Sequence, residues 1–301
     1  MIDINKIKES KSTKELLEFG IINIDKPSGP TSFDVSDYTR KAMGNIGVRK
    51  TSHFGTLDPK VTGVLPVALN RACKLTGFFL GEDKEYVGIM RIHEEIPIER
   101  IKEAIKEKFL GNINQLPPKK SRVKRVERQR EIKKFEIIEQ NGKDILFRAE
   151  VQGGTYIRKL VSDLGDHLGI GAHMLELRRI RAGIFKENGT DYPSVKLYDL
   201  EKAIEEYNKG NEKELRNMVI PGEIVSKIYP VVEINAKDLK NLLTGKPIQK
   251  KDLKNFRDFN KFEKDDIVCI FCDNKFIEMS KVLAEGSIFS KPEFVFTQGI
   301  N

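Results

Sequence analysis

Residues 53–67 read His-Phe-Gly-Thr-Leu-Asp-Pro-Lys-Val-Thr-Gly-Val-Leu-Pro-Val and set one acid, Asp58, in a loop bounded by glycine and proline that leads into an apolar strand. A turn just ahead of a strand holds a side chain rigidly at the rim of a cleft, where reactive groups sit on a fixed scaffold. Asp-Pro beside glycine is also ordinary turn chemistry, so the placement alone does not separate a reactive carboxylate from a structural one. The sequence on either side carries the decision.

Upstream, Gly20 to Ile24 reads as a strand, followed by the turn-rich link Lys26-Pro27-Ser28-Gly29-Pro30. Thr31 or Ser32 is placed to cap a helix that sets Val35, Tyr38 and Ala42 along one face. Downstream, Val64 to Leu69 is a buried strand, residues 72 to 80 a short helix ending before Gly81, and Lys84 to His93 another strand. Between Pro97 and Gly111, Ile98, Ile101, Ile105 and Phe109 recur at helical spacing. Residues 119 to 134 hold nine Lys or Arg against two Glu and read as a basic loop. Asn141-Gly142 marks a hairpin with a type I′ turn between two strands. From Thr155 the series Ile157, Leu160, Val161, Leu164, Leu168 is helical, with Gly169 placed to end it, and a further helix spans about Val195 to Tyr207. Hairpins interleaved with helices argue for an α+β domain with a mixed or antiparallel sheet rather than a βαβ repeat. Near Ile228-Tyr229-Pro230 the character shifts to shorter strands and tight turns, with a local helix at about 236 to 243, so the chain divides into residues 1–228 and a small β unit at 229–301.

The chain has 301 residues, 39% hydrophobic and 33% charged, which fits a globular protein of two domains. No apolar run approaches the roughly 18 residues of a membrane span, and Met1 to Ser10 lacks the apolar core of a secretory signal, so a cytoplasmic location is expected. A net charge of +8 favours polyanionic partners, because neutralising phosphates releases counterions. Cys269 and Cys272 form a C-x-x-C inside a strand-like run that turns residues three apart to opposite faces, and Cys73 stands alone. Neither a disulfide framework nor a zinc site is expected, and His93, His167 and His173 add no metal spacing. G-x-G-x-x-G and G-x-x-x-x-G-K-[ST] loops are both absent from the sequence, which removes the usual nucleotide-binding classes.

The string around Asp58 resembles the catalytic motif of the TruB/dyskerin family of pseudouridine synthases, and Leu57-Asp58-Pro59-Lys60-Val61-Thr62-Gly63 resembles its dyskerin-type branch, which works in box H/ACA ribonucleoproteins. The resemblance implies that Asp58 acts at the ribose of a flipped uridine. It further implies that Arg158, in Thr155-Tyr156-Ile157-Arg158, pairs with Asp58, and that Tyr86, in Lys84-Glu85-Tyr86-Val87, stacks on the base. Tyr156, Leu177 and His53 match substrate-site positions of the family, and Lys26, in Asp25-Lys26-Pro27-Ser28-Gly29, belongs to a further signature that reads as structural or phosphate-contacting.

Residues 229 to 301 resemble a PUA domain, a β-barrel-like RNA-binding module that includes Gly245 and Lys246. Lys119, Lys120, Arg122, Lys124 and Arg125 fall in a basic thumb-like loop around Pro117 to Arg130, although Leu116 and Arg122 depart from the dyskerin-type pattern. The implied partners are a box H/ACA guide RNA, a ribosomal or transfer RNA substrate and small accessory proteins, and no cofactor is implied. A stand-alone synthase acting on transfer RNA and a non-catalytic RNA-binding scaffold are the alternative readings.

Overall fold

The computed structural model describes residues 2–117, 124–189, 192–235, 239–255 and 261–297. In chain order the elements are α1 (Ile4–Ser10), α2 (Thr13–Glu18), β1 (Gly20–Lys26), α3 (Ser32–Ala42), β2 (Thr51–His53), β3 (Thr62–Leu69), α4 (Thr76–Leu80) and β4 (Lys84–Ile92). They continue with α5 (Ile98–Lys108), β5 (Gly111–Gln115), β6 (Arg128–Asn141), β7 (Asp144–Val151), α6 (Ile157–His167), β8 (Ala172–Ala182), β9 (Phe185–Lys186) and β10 (Val195–Lys196). The remainder are α7 (Leu197–Asn208), α8 (Lys213–Met218), β11 (Val219–Pro221), β12 (Val231–Glu233), α9 (Leu239–Leu242), β13 (Ile248–Gln249), β14 (Ile267–Cys272), β15 (Lys275–Glu285) and β16 (Ile288–Val295).

The molecule is mixed α+β. Among the described residues, a large sheet runs in the order β10-β1-β3-β8-β4-β7-β6-β5, with β11 added to β1, β2 to β3 and β9 to β8. Its neighbours are mostly antiparallel, but β3 and β8 run parallel and meet through only Thr62–Arg178 and Gly63–Arg179. The sheet is therefore two halves joined at a short seam. Strand β1 is built from distant partners: β3, then β10 through Ile24–Val195, then β11 through Gly20–Pro221. Strands from β12 onward form a separate five-stranded sheet that fits the small β-barrel-like unit expected after Pro230. Among the described residues, no helix is long and apolar enough to cross a membrane.

Burial on both faces explains the apolar runs. On β3, Leu65, Val67 and Leu69 join the main core beneath α3, α5, α6 and α7, while Val64 and Ala68 face a second cluster centred on Phe19. On β14, Val268, Ile270 and Cys272 line the C-terminal unit's own core, whereas Cys269 and Phe271 turn toward the Phe19 cluster. The two cysteines thus point to opposite faces, as the two-residue strand period requires. Phe19 is buried and stacks on Phe296 and Phe276 at centroid distances of 4.2 and 5.4 Å.

Several local expectations change in three dimensions. Thr31 caps α3 through a capping box with Asp34, while Ser32 turns inward, and Tyr38 is 39% exposed with its hydroxyl on Glu201. The buried face of α3 is Ser32, Val35, Ser36 and Thr39, the i, i+3, i+4, i+7 series. In the hairpin, Asn141 pairs with Asp144, so Gly142 (φ +57°) and Lys143 are the central residues. Lys143 lies outside the left-handed region, which excludes the type I′ turn and leaves glycine at the first central position. The basic stretch is not all loop: Arg128 to Lys134 belong to β6, where pairing with β5 and β7 satisfies the backbone. Helices α1 and α2 were not among the expected elements, although Asp3 and the Ser12–Glu15 capping box mark both starts. Of the expected helix at 236–243, residues 236–238 lie outside the described residues.

Glu278 is a buried acid inside the C-terminal unit, opposite Ile270 of its core. Ser280 Oγ donates to Oε1 at 2.9 Å, and Oε2 has no partner among the described residues. Burial pushes the carboxyl up to about 7. Because the folded state holds this proton more tightly than the unfolded chain, its contribution is fully present below the usual carboxylate range and is lost as pH rises through about 7. Urea unfolding across pH is expected to give a Glu278→Gln protein that escapes a loss of about 3 kcal/mol suffered by the parent between about pH 4 and pH 8.

Candidate active site

The Asp58 loop is a turn closed by Val61 N–H donating to the Asp58 carbonyl at 2.9 Å, with Pro59 at the position that suits its fixed φ. Beneath it lies Lys26, fully buried. Its ammonium donates to the carbonyls of Pro27 (2.9 Å), Pro59 (3.0 Å) and Val61 (2.9 Å), using all three protons. Burial pushes the Lys26 pKa down, and the nearby Asp58 charge opposes that shift. Gly29 N–H adds a second donor to the Pro59 carbonyl at 2.9 Å. On the other side, Ser32 Oγ accepts from Leu57 N–H at 2.7 Å and donates to the Leu57 carbonyl at 3.0 Å. The peptides flanking Asp58 are therefore fixed, and Lys26 is a strut inside the loop rather than a surface contact for phosphate.

Arg158 comes from the first turn of α6, whose buried face of Ile157, Leu160, Val161 and Leu164 anchors it on the sheet. Arg158 Nη2 meets Asp58 Oδ2 at 2.7 Å, and the two side chains remain 60% and 48% exposed, so the pair is open to an incoming molecule. The helix N-terminus adds its partial positive charge on the same side. Sequence reasoning gave Gln115 no role of its own, yet it is 2% exposed and clamps Tyr156: its Oε1 accepts from Tyr156 N–H at 3.0 Å and its Nε2 donates to the Tyr156 carbonyl at 3.2 Å. This clamp sets where α6 begins, and with it Tyr156 and Arg158. The only signal in the sequence was a polar residue ending a short strand just before Pro117-Pro118.

Tyr86 lies across the seam, paired with Arg179 of β8 and 8% exposed. Leu177 sits opposite Gly88 on the same face, where a glycine Cβ would come within 2.9 Å of Leu177 Cδ1. His53 stands on β2 opposite Val67, and its Nδ1 is buried with no partner among the described residues. Burial, then the nearby Arg179 charge, pushes the His53 imidazole down. Lys84 is buried as well, donating to the carbonyls of Leu80 and Glu82, and its pKa is pushed down to about 8 by burial first and Arg179 next.

The remaining expected residues stand elsewhere. Lys124 and Arg125 are exposed ahead of β6, whereas Lys119, Lys120 and Arg122 lie outside the described residues. Gly245 (φ +87°) and exposed Lys246 occupy the turn between α9 and β13 in the C-terminal unit.

The Asp58–Arg158 pair is carried by a loop at the joint of a two-part mixed sheet, with Tyr86 on the half-sheet across the seam. Residues 41–157 match the TruB family pseudouridylate synthase (N terminal domain), and residues 158–225 match the tRNA pseudouridylate synthase B C-terminal domain. The probable tRNA pseudouridine synthase B of Methanothermobacter thermautotrophicus is 45% identical over 219 residues, 72% of this chain and 65% of that protein. A crystal structure of a Cbf5-Nop10-Gar1 complex contains a chain that is 35% identical with TM-score 0.86, covering 96% of this chain and 88% of its own. An H/ACA RNP bound to a substrate RNA containing 2′-deoxyuridine gives 33% identity and TM-score 0.83, covering 96% and 89%. The chain belongs to the TruB family of pseudouridine synthases. Its alignment spans 59–65% of the length of four curated relatives at 44–48% identity.

Lys26→Met is expected to take the donor from the Pro27 and Val61 carbonyls, leaving Pro59 with Gly29 N–H alone and lowering stability by about 3 kcal/mol in urea unfolding. The same variant is expected to accelerate hydrogen exchange at the Gly29 and Val61 amides; unchanged exchange there would show that the ammonium does not hold the loop.

Proposed function

We propose that this chain isomerises uridine to pseudouridine in RNA. The observation that carries the reading is the Asp58–Arg158 pair, 2.7 Å apart on a clamped loop and open to solvent. Pseudouridine formation breaks the bond between uracil and ribose C1′, rotates the base and rejoins it through ring carbon 5. The reaction consumes neither oxidant nor energy source, so a carboxylate at the sugar and walls for the detached base are the main requirements. Asp58 acts at the ribose, by attack at C1′ or by removal of the C2′ proton, and Arg158 orients its carboxylate. Tyr86 and Leu177 form walls for the base, with Tyr156 and His53 at the margins of the site. A single carboxylate suits transfer within one pocket, where a glycoside hydrolase needs a second as acid or base.

The reading extends to RNA-guided modification of ribosomal RNA within a box H/ACA particle, with accessory proteins alongside. Likeness over 96% of the chain to a chain of a Cbf5-Nop10-Gar1 complex and to one of an H/ACA RNP bound to substrate RNA supports it, as does the dyskerin-like Lys60-Val61-Thr62-Gly63. In this scheme residues 1–228 are catalytic and residues 229–301 are a PUA unit that grips the guide RNA, with the exposed Lys124, Arg125 and Lys246 facing phosphates. The names of the curated relatives, probable tRNA pseudouridine synthase B, favour transfer RNA as substrate, and a second reading is that the chain modifies it as a stand-alone synthase.

The deciding experiment measures tritium released from uridine labelled at carbon 5, in a ribosomal RNA fragment with guide RNA and accessory proteins and in a bare transfer RNA transcript. Release only in the assembled reaction supports the guided reading, and release from bare transfer RNA alone supports the second. Asp58→Asn is expected to abolish release with RNA affinity unchanged; undiminished release would remove the catalytic assignment. Tyr86→Ala is expected to slow the single-turnover rate roughly 5- to 150-fold, the kinetic equivalent of about 1 to 3 kcal/mol of lost stacking.

A further inference from the structure

Arg179 is 1% exposed, and no carboxylate pairs with it among the described residues. Its neighbourhood makes the charge harder to hold, because Lys26, Lys84 and His53 all feel its field. A buried cation without a counterion is destabilising, and an apolar side chain of similar volume usually serves a core as well or better. The arginine therefore needs a reason beyond packing.

Its donors supply one. Nε donates to the Val64 carbonyl at 2.7 Å and Nη2 to the Gly55 carbonyl at 3.1 Å. Gly55 precedes Asp58 and Val64 follows it, so one guanidinium ties down both arms of the loop. The Tyr86 phenol lies close enough to the same guanidinium to favour its charged form. The backbone repeats the pattern, since Arg179 is paired with Gly63 on β3 and with Tyr86 on β4. A register shift between Glu85 and Tyr86 leaves Ile180 unpaired against β4, which lets Arg179 line up with the tyrosine.

We propose that Arg179 is a positioning residue that fixes the separation between the Asp58 carboxylate and the Tyr86 ring, so that both engage one flipped uridine together. This rests on the pseudouridine-forming reading above. The planar fork is what does it: its two carbonyl acceptors lie on opposite arms of the loop while its backbone pairs with Tyr86, and a lysine ammonium on a flexible stem cannot span both arms. Arg179 touches neither the ribose nor the base, and acts through the two residues that do.

The test compares the full chain with its Arg179→Met and Arg179→Lys variants, by crystal structure and by single-turnover pseudouridine formation. Arg179→Met is expected to lose some stability through the donors withdrawn from the Gly55 and Val64 carbonyls and to bind RNA with unchanged affinity, while its Asp58–Tyr86 separation shifts by about 1 Å and its rate falls about 100-fold. Arg179→Lys is expected to fall between the two, and it carries the test if the methionine variant does not fold. Tyr86→Phe is expected to blunt the effect of Arg179→Met, because the hydroxyl it acts on is already gone. An unchanged Asp58–Tyr86 separation in the variant crystals, or a variant rate equal to the parent's, overturns the proposal. A parent protein inactive on every RNA overturns the pseudouridine reading instead, and the crystallographic comparison then still decides whether Arg179 sets the spacing.

Discussion

Strands β3 and β8 approach so closely at Gly63 that a side-chain carbon there would sit 2.2 Å from the Arg179 carbonyl oxygen. The glycine also takes φ +99°, a conformation that other residues adopt only with strain. Through this contact the half-sheet carrying the Asp58 loop joins the half-sheet carrying Tyr86. The buried cations on either side follow from the same closeness, because loop carbonyls crowded against a sheet seam need donors and no water reaches them. Lys26 and Arg179 supply those donors without adding acids that would compete with Asp58.

What could be read from the sequence was whatever is set by near neighbours. The Asp58 turn, the amphipathic series after Pro97 and after Thr155, and the Asn141-Gly142 hairpin each depend on residues within one or two turns of chain. Even there the hairpin's glycine sits one place earlier in the turn than expected, since strand pairing across β6 and β7 sets its register. Charged residues were the blind spot. Lys26 and Arg179 carry the charge of surface residues, and partners 33 to 124 positions away in the chain make them internal, whereas Lys84 is buried on partners two and four residues off. Tyr38 erred in the opposite direction, its helical spacing suggesting a covered side chain where α7 offers a carboxylate at the edge. The basic run before β6 mixed two fates, loop and strand, because alternation of charge with Ile132 and Phe135 is weak beside so many lysines and arginines.

The C-terminal unit is less separable than its own sheet suggests. Strand β14 is buried on both faces, one by its own barrel and the other by the cluster around Phe19, Phe294 and Phe296. Arg71 reinforces the joint, donating to the Val295 carbonyl at 2.9 Å and lying 5.6 Å over the Phe294 ring. A surface that buries this many aromatic rings behaves as a core shared between two units, so the C-terminal unit is held in one orientation to the main sheet rather than swinging on a tether.

Strand β1 has a consequence for the order of events during synthesis. Its permanent neighbours β10 and β11 lie about 170 to 200 residues further along the chain. At a ribosomal pace of about 5 to 20 residues per second, they emerge roughly 10 to 40 seconds after it. During that interval Ile21, Ile22 and Ile24 form one edge of an unfinished sheet, the kind of edge that pairs with other chains when left open. Helices α1 and α2 precede this strand in the chain, but their partners are late as well: Lys8 donates to the Asn217 carbonyl, and Arg216 donates to the Lys8 and Lys11 carbonyls. The N-terminal helical segment and the first strand therefore wait together for the same late stretch of chain to complete the sheet.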